Sequence, residues 1–199
     1  MKLVIKPIDF NGFRYFYHMK MNIALPLVLV LMLNSFLVLA QTTNTGPYVP
    51  NHGAVWKVEN RTIPLKSNYD YKIVFDITST SNDPSVKNRY IDSAARFFNM
   101  LGQNGIPKEN IHVALVIHSS ASKDVMNNEW YQAKYSTNNP NVNLIAELID
   151  AGAEVIFCGQ SSFTRKMPKE NLIEGVDLSL SALTSLVEYQ SDGYQLIKY

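Results

Sequence analysis

The sequence predicts an α/β fold built on a mostly parallel sheet of about five strands, and three observations carry that expectation. Short runs of β-branched, aliphatic and aromatic residues alternate along the chain with segments of helical spacing. That order places helices on the faces of a parallel sheet. Several of the runs are apolar without a break, as strands covered on both faces are. The composition, 46% hydrophobic and 18% charged with 9 Gly and 9 Pro in 199 residues, is that of a globular domain without internal repeats or low-complexity tracts.

Three parts follow in order: a leader over 1–40, an extended lead-in over 41–68 and a single α/β domain over 69–199. In the leader, Met19-Lys20-Met21 precedes an apolar run from Ile23 to Ala40, and polar Gln41-Thr42-Thr43-Asn44 follows. A basic start, an apolar core and a small-residue end at Val38-Leu39-Ala40 make a cleavable secretory signal cut after Ala40. The competing reading is an uncleaved anchor, because the run approaches bilayer-spanning length. Residues 1–18 are long for such a leader, and Met19 is the better start. In the lead-in, Pro47, Pro50 and Gly53 act as breakers, and Ala54–Val58 offers a short edge strand.

Tyr71–Thr78 is the first strand, rich in β-branched and aromatic residues. Asp83-Pro84 marks a helix start, and Tyr90, Ala94, Phe97, Phe98 and Leu101 continue it at helical spacing until Gly102. His112–His118 is the second strand, followed by a helix from Lys123 to about Tyr135. A further helix over Val142 to about Ala151 ends at Gly152 and leads into the third strand, Glu154–Cys158. Beyond it come a loop with Arg165 and Lys166, one helical turn at Lys169–Ile173 and a strand at Val176–Leu180. A helix over Ser181–Tyr189 and a last strand over Tyr194–Tyr199 close the chain. This inventory suits a flavodoxin-like three-layer sandwich, with strand order left open.

Charge excludes some functions. The whole chain is +1, but the leader holds four basic residues and one acidic, leaving 14 basic against 16 acidic side chains beyond it. Such a balance offers no footprint for a nucleic-acid backbone. Neither a phosphate-binding glycine loop, a CxxC pair nor a GxSxG elbow occurs. Four histidines and one cysteine lack metal-ligand spacing, so neither a cofactor nor a metal is expected. With a single cysteine, the domain closes no internal disulfide.

Ligands of open parallel sheets gather outside the carboxyl ends of the strands. There the sequence places Asp76, His118 and Cys158, each at or near the end of a different strand, with Cys158 and His118 the catalytic candidates and His118 the thiol's proton acceptor or a hydrogen-bonding residue of the cleft. Gly159 permits a tight turn or close approach, and the amides and hydroxyls of Gln160 and Ser161 suit a thiolate, with Arg165 nearby. Bland readings stand beside these. Cys158 is equally a small buried hydrophobe, Asp76 a helix cap, His118 a structural residue, and Arg165 and Lys166 solvated charge. Asn60-Arg61-Thr62 matches a glycosylation acceptor.

From Tyr71 to Tyr199 the chain resembles the DsrE/DsrF-like family of small α/β sulfur-relay proteins, in its exported branch. The resemblance rests on Tyr71–Thr78, Val116-Ile117-His118, Asn127–Tyr131, Val155–Gln160, Leu180–Thr184 and Tyr189–Tyr194. It implies a flavodoxin-like fold, homotrimers or hexamers, and a strand-end cysteine, here Cys158, that carries sulfur as a persulfide between partner proteins. His118 and Gln160 match recurrent positions of the exported branch. The implied function is an exported, periplasmic sulfur carrier or thiol-transfer protein, akin to a sulfurtransferase, with a protein sulfur donor or acceptor. Export departs from the cytoplasmic setting of relay members. The alternatives are a non-catalytic ligand-binding or assembly module with a structural cysteine, and a redox sensor oxidised at Cys158.

Overall fold

The computed structural model describes residues 43–199. The leader, its apolar run and the cut after Ala40 therefore lie outside the described residues. Five strands form one sheet in the order β4-β3-β2-β1-β5. They are β1 (Tyr71–Ile77), β2 (Ile111–Ile117), β3 (Glu154–Cys158), β4 (Asp177–Ser179) and β5 (Gln195–Lys198), and every pairing is parallel. The helices are α1 (Arg89–Gly102), α2 (Asn128–Tyr135), α3 (Val142–Asp150), α4 (Gly159–Arg165) and α5 (Ala182–Ser191). Among the described residues, no helix is long and apolar enough to cross a membrane.

The sheet grows stepwise from β1 to β4, and β5 then returns to the far side of β1. Parallel crossovers are right-handed. Steps in one direction therefore put their helices on one face, and the single reverse step puts α5 on the other. Side-chain parity follows. Ile73, Phe75, Ile77, Val113, Leu115, Ile117, Val155 and Phe157 enter the main core with α1 and α3. Val74, Ala114, Val116, Ile156 and Cys158 face the opposite way and form a smaller cluster with Ala182, Leu186 and Tyr189 of α5. Among the described residues one face is thick and the other is covered by α5.

Local sequence sets the boundaries. Asn88 caps α1 by accepting from the Tyr90 amide at 2.9 Å, so that helix starts later than Asp83-Pro84, which instead form a turn. The expected Lys123–Tyr135 helix is broken. Ser119–Val125 is a 3₁₀ segment, Met126 bridges Leu172, and α2 restarts after Asn127, whose side chain accepts from the Trp130 amide at 2.9 Å. The Asn139 side chain donates to the Asp124 and Met126 carbonyls at 2.8 and 2.7 Å, holding them out of helical register.

The lead-in adds no strand to the sheet, contrary to the expectation for Ala54–Val58. Val55 makes one antiparallel bridge to Asn44, and the segment is instead fastened to α1. Val49 is fully buried, and Tyr48 donates to the Ile106 carbonyl at 2.9 Å. Asn99, also fully buried, accepts from the Val49 amide and donates to the carbonyls of Val49, His52 and Gly53. Gly53 has φ +65°, and a Cβ there would lie 2.3 Å from the Ala95 carbonyl carbon. Only glycine allows that approach.

Candidate functional site

The carboxyl edge of the sheet brings together most of the residues singled out in the sequence. Asp76 and Cys158 lie on the α5 face by strand parity, and His118 follows Val116 of the same face by two residues. Cys158 is the last residue of β3 and is 4% exposed. The Ala182 amide, at the start of α5, donates to its Sγ at 3.2 Å. The first turn of α4, through the Ser161 and Gln160 amides and the Ser161 hydroxyl, also favours the ionised sulfur. Burial pushes the thiol up. These donors oppose it and together prevail, so the net direction is below the ordinary cysteine value.

The segment after Cys158, expected to be a loop, is helix α4. It folds back because Gly159 lets the chain turn against β4. A Cβ on Gly159 would stand 2.3 Å from the Ser179 carbonyl oxygen and 3.0 Å from that of Leu180. Gln160 donates to the Leu180 carbonyl at 3.2 Å, tying α4 to the start of α5. The two helices thereby converge on the sulfur. Arg165 is not brought to it: the residue is exposed in the last turn of α4, at the end away from Cys158.

Asp76 and His118 form a second centre. His118 Nε2 lies 2.8 Å from Asp76 Oδ1, and Ser119 Oγ lies 3.1 Å from His118 Nδ1. Asp76 is 6% exposed and also has Lys198 Nζ at 3.9 Å. It binds a ring here and caps no helix. Both His118 nitrogens are engaged, so the ring reaches the thiol only through intermediaries. The Ser119 amide donates to Ser161 Oγ at 3.3 Å, and Ser161 in turn serves the sulfur. Ser119 holds φ +56°, a left-handed conformation unusual for serine that bends the chain toward this contact. The sequence reading missed Ser119 and Ala182. Ala182 donates through its backbone, 24 residues from Cys158, and carries no side-chain signal.

Apolar side chains flank this edge in the open. Phe163 is 86% exposed, Leu180 72%, Leu183 78% and Val187 63%. Among the described residues, no group of three or more His, Cys, Asp or Glu side chains is placed to hold a metal.

Fold and site together define a class: a small all-parallel α/β domain whose one thiol is held by amide donors at the carboxyl edge of the sheet. More particularly, the chain belongs to the DsrE/DsrF-like family, whose model matches residues 72–199. A solved structure shares the fold. The protein of unknown function MTH1491 from Methanobacterium thermoautotrophicum is 18% identical, with a TM-score of 0.50 over 65% of this chain and 100% of that one. The ychN protein from E. coli is 16% identical, with a TM-score of 0.48 over 65% of this chain and 99% of its own. No curated protein matches the sequence significantly.

Proposed function

We propose that the protein is an exported sulfur carrier or thiol-transfer protein that works through Cys158. The observation that carries this reading is the Ala182 amide donating to Cys158 Sγ at 3.2 Å at the carboxyl edge of the sheet, with the first turn of α4 also favouring the thiolate. Membership of a family associated in general with sulfur relay supports it. The thiolate is the reactive form, and donors that stabilise it raise its population near neutral pH. In the transfer step the thiolate attacks the outer sulfur of a donor persulfide, R–S–SH. A bond forms between Cys158 Sγ and that sulfur, the donor's S–S bond breaks, and the donor leaves as R–S⁻. Cys158 becomes Cys–S–SH without any external oxidant, and the same donors then stabilise the ionised persulfide.

Gln160 and Gly159 shape the cradle, while Asp76 and His118 fix Ser119 and, through it, Ser161. The partner is a protein bearing a persulfide or accepting one. The working form is a homo-oligomer, trimer or hexamer; the exposed Leu180, Leu183 and Val187 support such contacts. The apolar run ending at Ala40 supports export to the periplasm.

Loading provides the test. Incubation with inorganic polysulfide is expected to add one sulfur atom to the parent protein by intact mass and none to Cys158→Ser, with both melting alike. Equal loading of the two proteins sinks the proposal. A second reading, favoured by the 4% exposure of Cys158 and its packing against Val116 and Ile156, makes the cysteine structural in a ligand-binding or assembly module. That reading requires Cys158→Ser to lose stability.

A further inference from the structure

A hollow of about 440 Å³ lies between the lead-in and α1, away from the thiol edge. That is within the size range of small-molecule sites. Its walls are apolar, with Trp56, Ile63, Leu65 and Met100 among them, and it carries two guanidinium groups, Arg61 and Arg96. No Asp or Glu lines it. Arg61 donates to the Asn104 side chain, which steadies it at the wall. Arg96 has no hydrogen-bond or ion-pair partner among the described residues. A second hollow of about 400 Å³ continues along α1, sharing Arg96 and Met100 and running on past Phe97 to Ile197. Arg96 and Met100 therefore line both hollows.

Cations without acidic partners beside an apolar channel ask for an anion with an apolar body. A guanidinium fork matches a carboxylate with two parallel hydrogen bonds. A trough rather than a flat patch favours a single extended chain. A bilayer surface is the poorer fit, because attraction to anionic lipid needs a cluster of basic residues. Here the rim offers two arginines, while the adjoining Lys57 is paired with Glu59 at 2.8 Å.

We propose that this trough binds the carboxylate of an unbranched acyl chain, with the head held by Arg61 and Arg96 and the tail lying along Trp56, Leu65 and Met100. The site is separate from Cys158 and does not depend on sulfur chemistry there.

Calorimetric titration of the full chain with dodecanoate tests it. One molecule is expected to bind per chain, with affinity rising about fourfold per methylene from octanoate to dodecanoate. Dodecanol is expected to bind at least about tenfold more weakly, and Arg96→Gln and Arg61→Gln each to cost about tenfold, as lost hydrogen bonds to a charged group do. Met100→Glu, at a position 46% exposed, is expected to abolish binding by charge repulsion while melting as the parent does. Equal affinity for dodecanol and dodecanoate overturns the proposal, as does unchanged affinity in Arg96→Gln. Absence of dodecanoate binding overturns it too, whether or not anionic phosphatidylglycerol vesicles bind. Polysulfide loading at Cys158 is expected to be the same in Arg96→Gln, so failure here and failure of the thiol proposal are told apart.

Discussion

Gly159→Ala is expected to lower the melting temperature by about 5–10 °C and to slow the reaction of Cys158 with small electrophiles. The added Cβ would stand 2.3 Å from the Ser179 carbonyl oxygen and 3.0 Å from the Leu180 oxygen. Both obstacles are backbone, and Ser179 is paired with Cys158 in the sheet, so neither yields as a flexible side-chain tip would. Overpacking of this kind costs about 2–3 kcal/mol, which for a domain of this size corresponds to that change in melting temperature. Relief requires α4 to swing away from β4. Such a movement carries the Gln160 and Ser161 amides off the sulfur, so stability and thiol acidity are expected to fall together. Circular-dichroism melts and alkylation rates on the same samples read both. A variant that melts like the parent would show that the α4–β4 approach does not constrain the site.

Asn99→Ala is expected to cost about 3–4 kcal/mol, seen as a lower urea midpoint at an unchanged slope. Asn99 is fully buried and satisfies four backbone groups of the lead-in, the Val49 amide among them. Alanine leaves those groups buried without partners, the costly way to lose a hydrogen bond. The loss falls on one segment. Protease is therefore expected to cut within residues 43–68 well before the parallel sheet opens, because local unfolding follows the weakest set of contacts. An unchanged midpoint would mean that Val49 packing alone holds the lead-in.

The parts of the fold legible in the sequence are those where burial leaves a continuous record. Glu154–Cys158 stands out because four consecutive residues of β3 are buried, and its end fixes the position of the thiol. Asp76 and His118 were legible as strand-end residues, and the parallel sheet does join them. Helix α4 was not legible. Gly159, Ser161 and Ser162 are weak helix formers common in turns, and the helix is only seven residues long. Asn99 was hidden for the opposite reason: a polar residue within an amphipathic helix reads as solvent-facing, although here it is wholly buried. Strand order was also out of reach, since the reverse crossover that sends α5 to its own face leaves no local mark. That crossover supplies the Ala182 amide.

Whether Cys158 is an activated thiol is read from its rate of alkylation by iodoacetamide in the native full chain as pH is raised, followed by intact mass. Native-state labelling is expected with a pH midpoint below the ordinary cysteine value, because burial, which raises it, is outweighed by Ser161, Ala182 and Gln160. The sign is fixed by the thiolate: a depressed midpoint keeps labelling fast as pH falls until the thiol reprotonates. Labelling that waits for denaturant, or a midpoint at or above the ordinary value, would rule out an activated thiol and leave Cys158 as packing beneath α5.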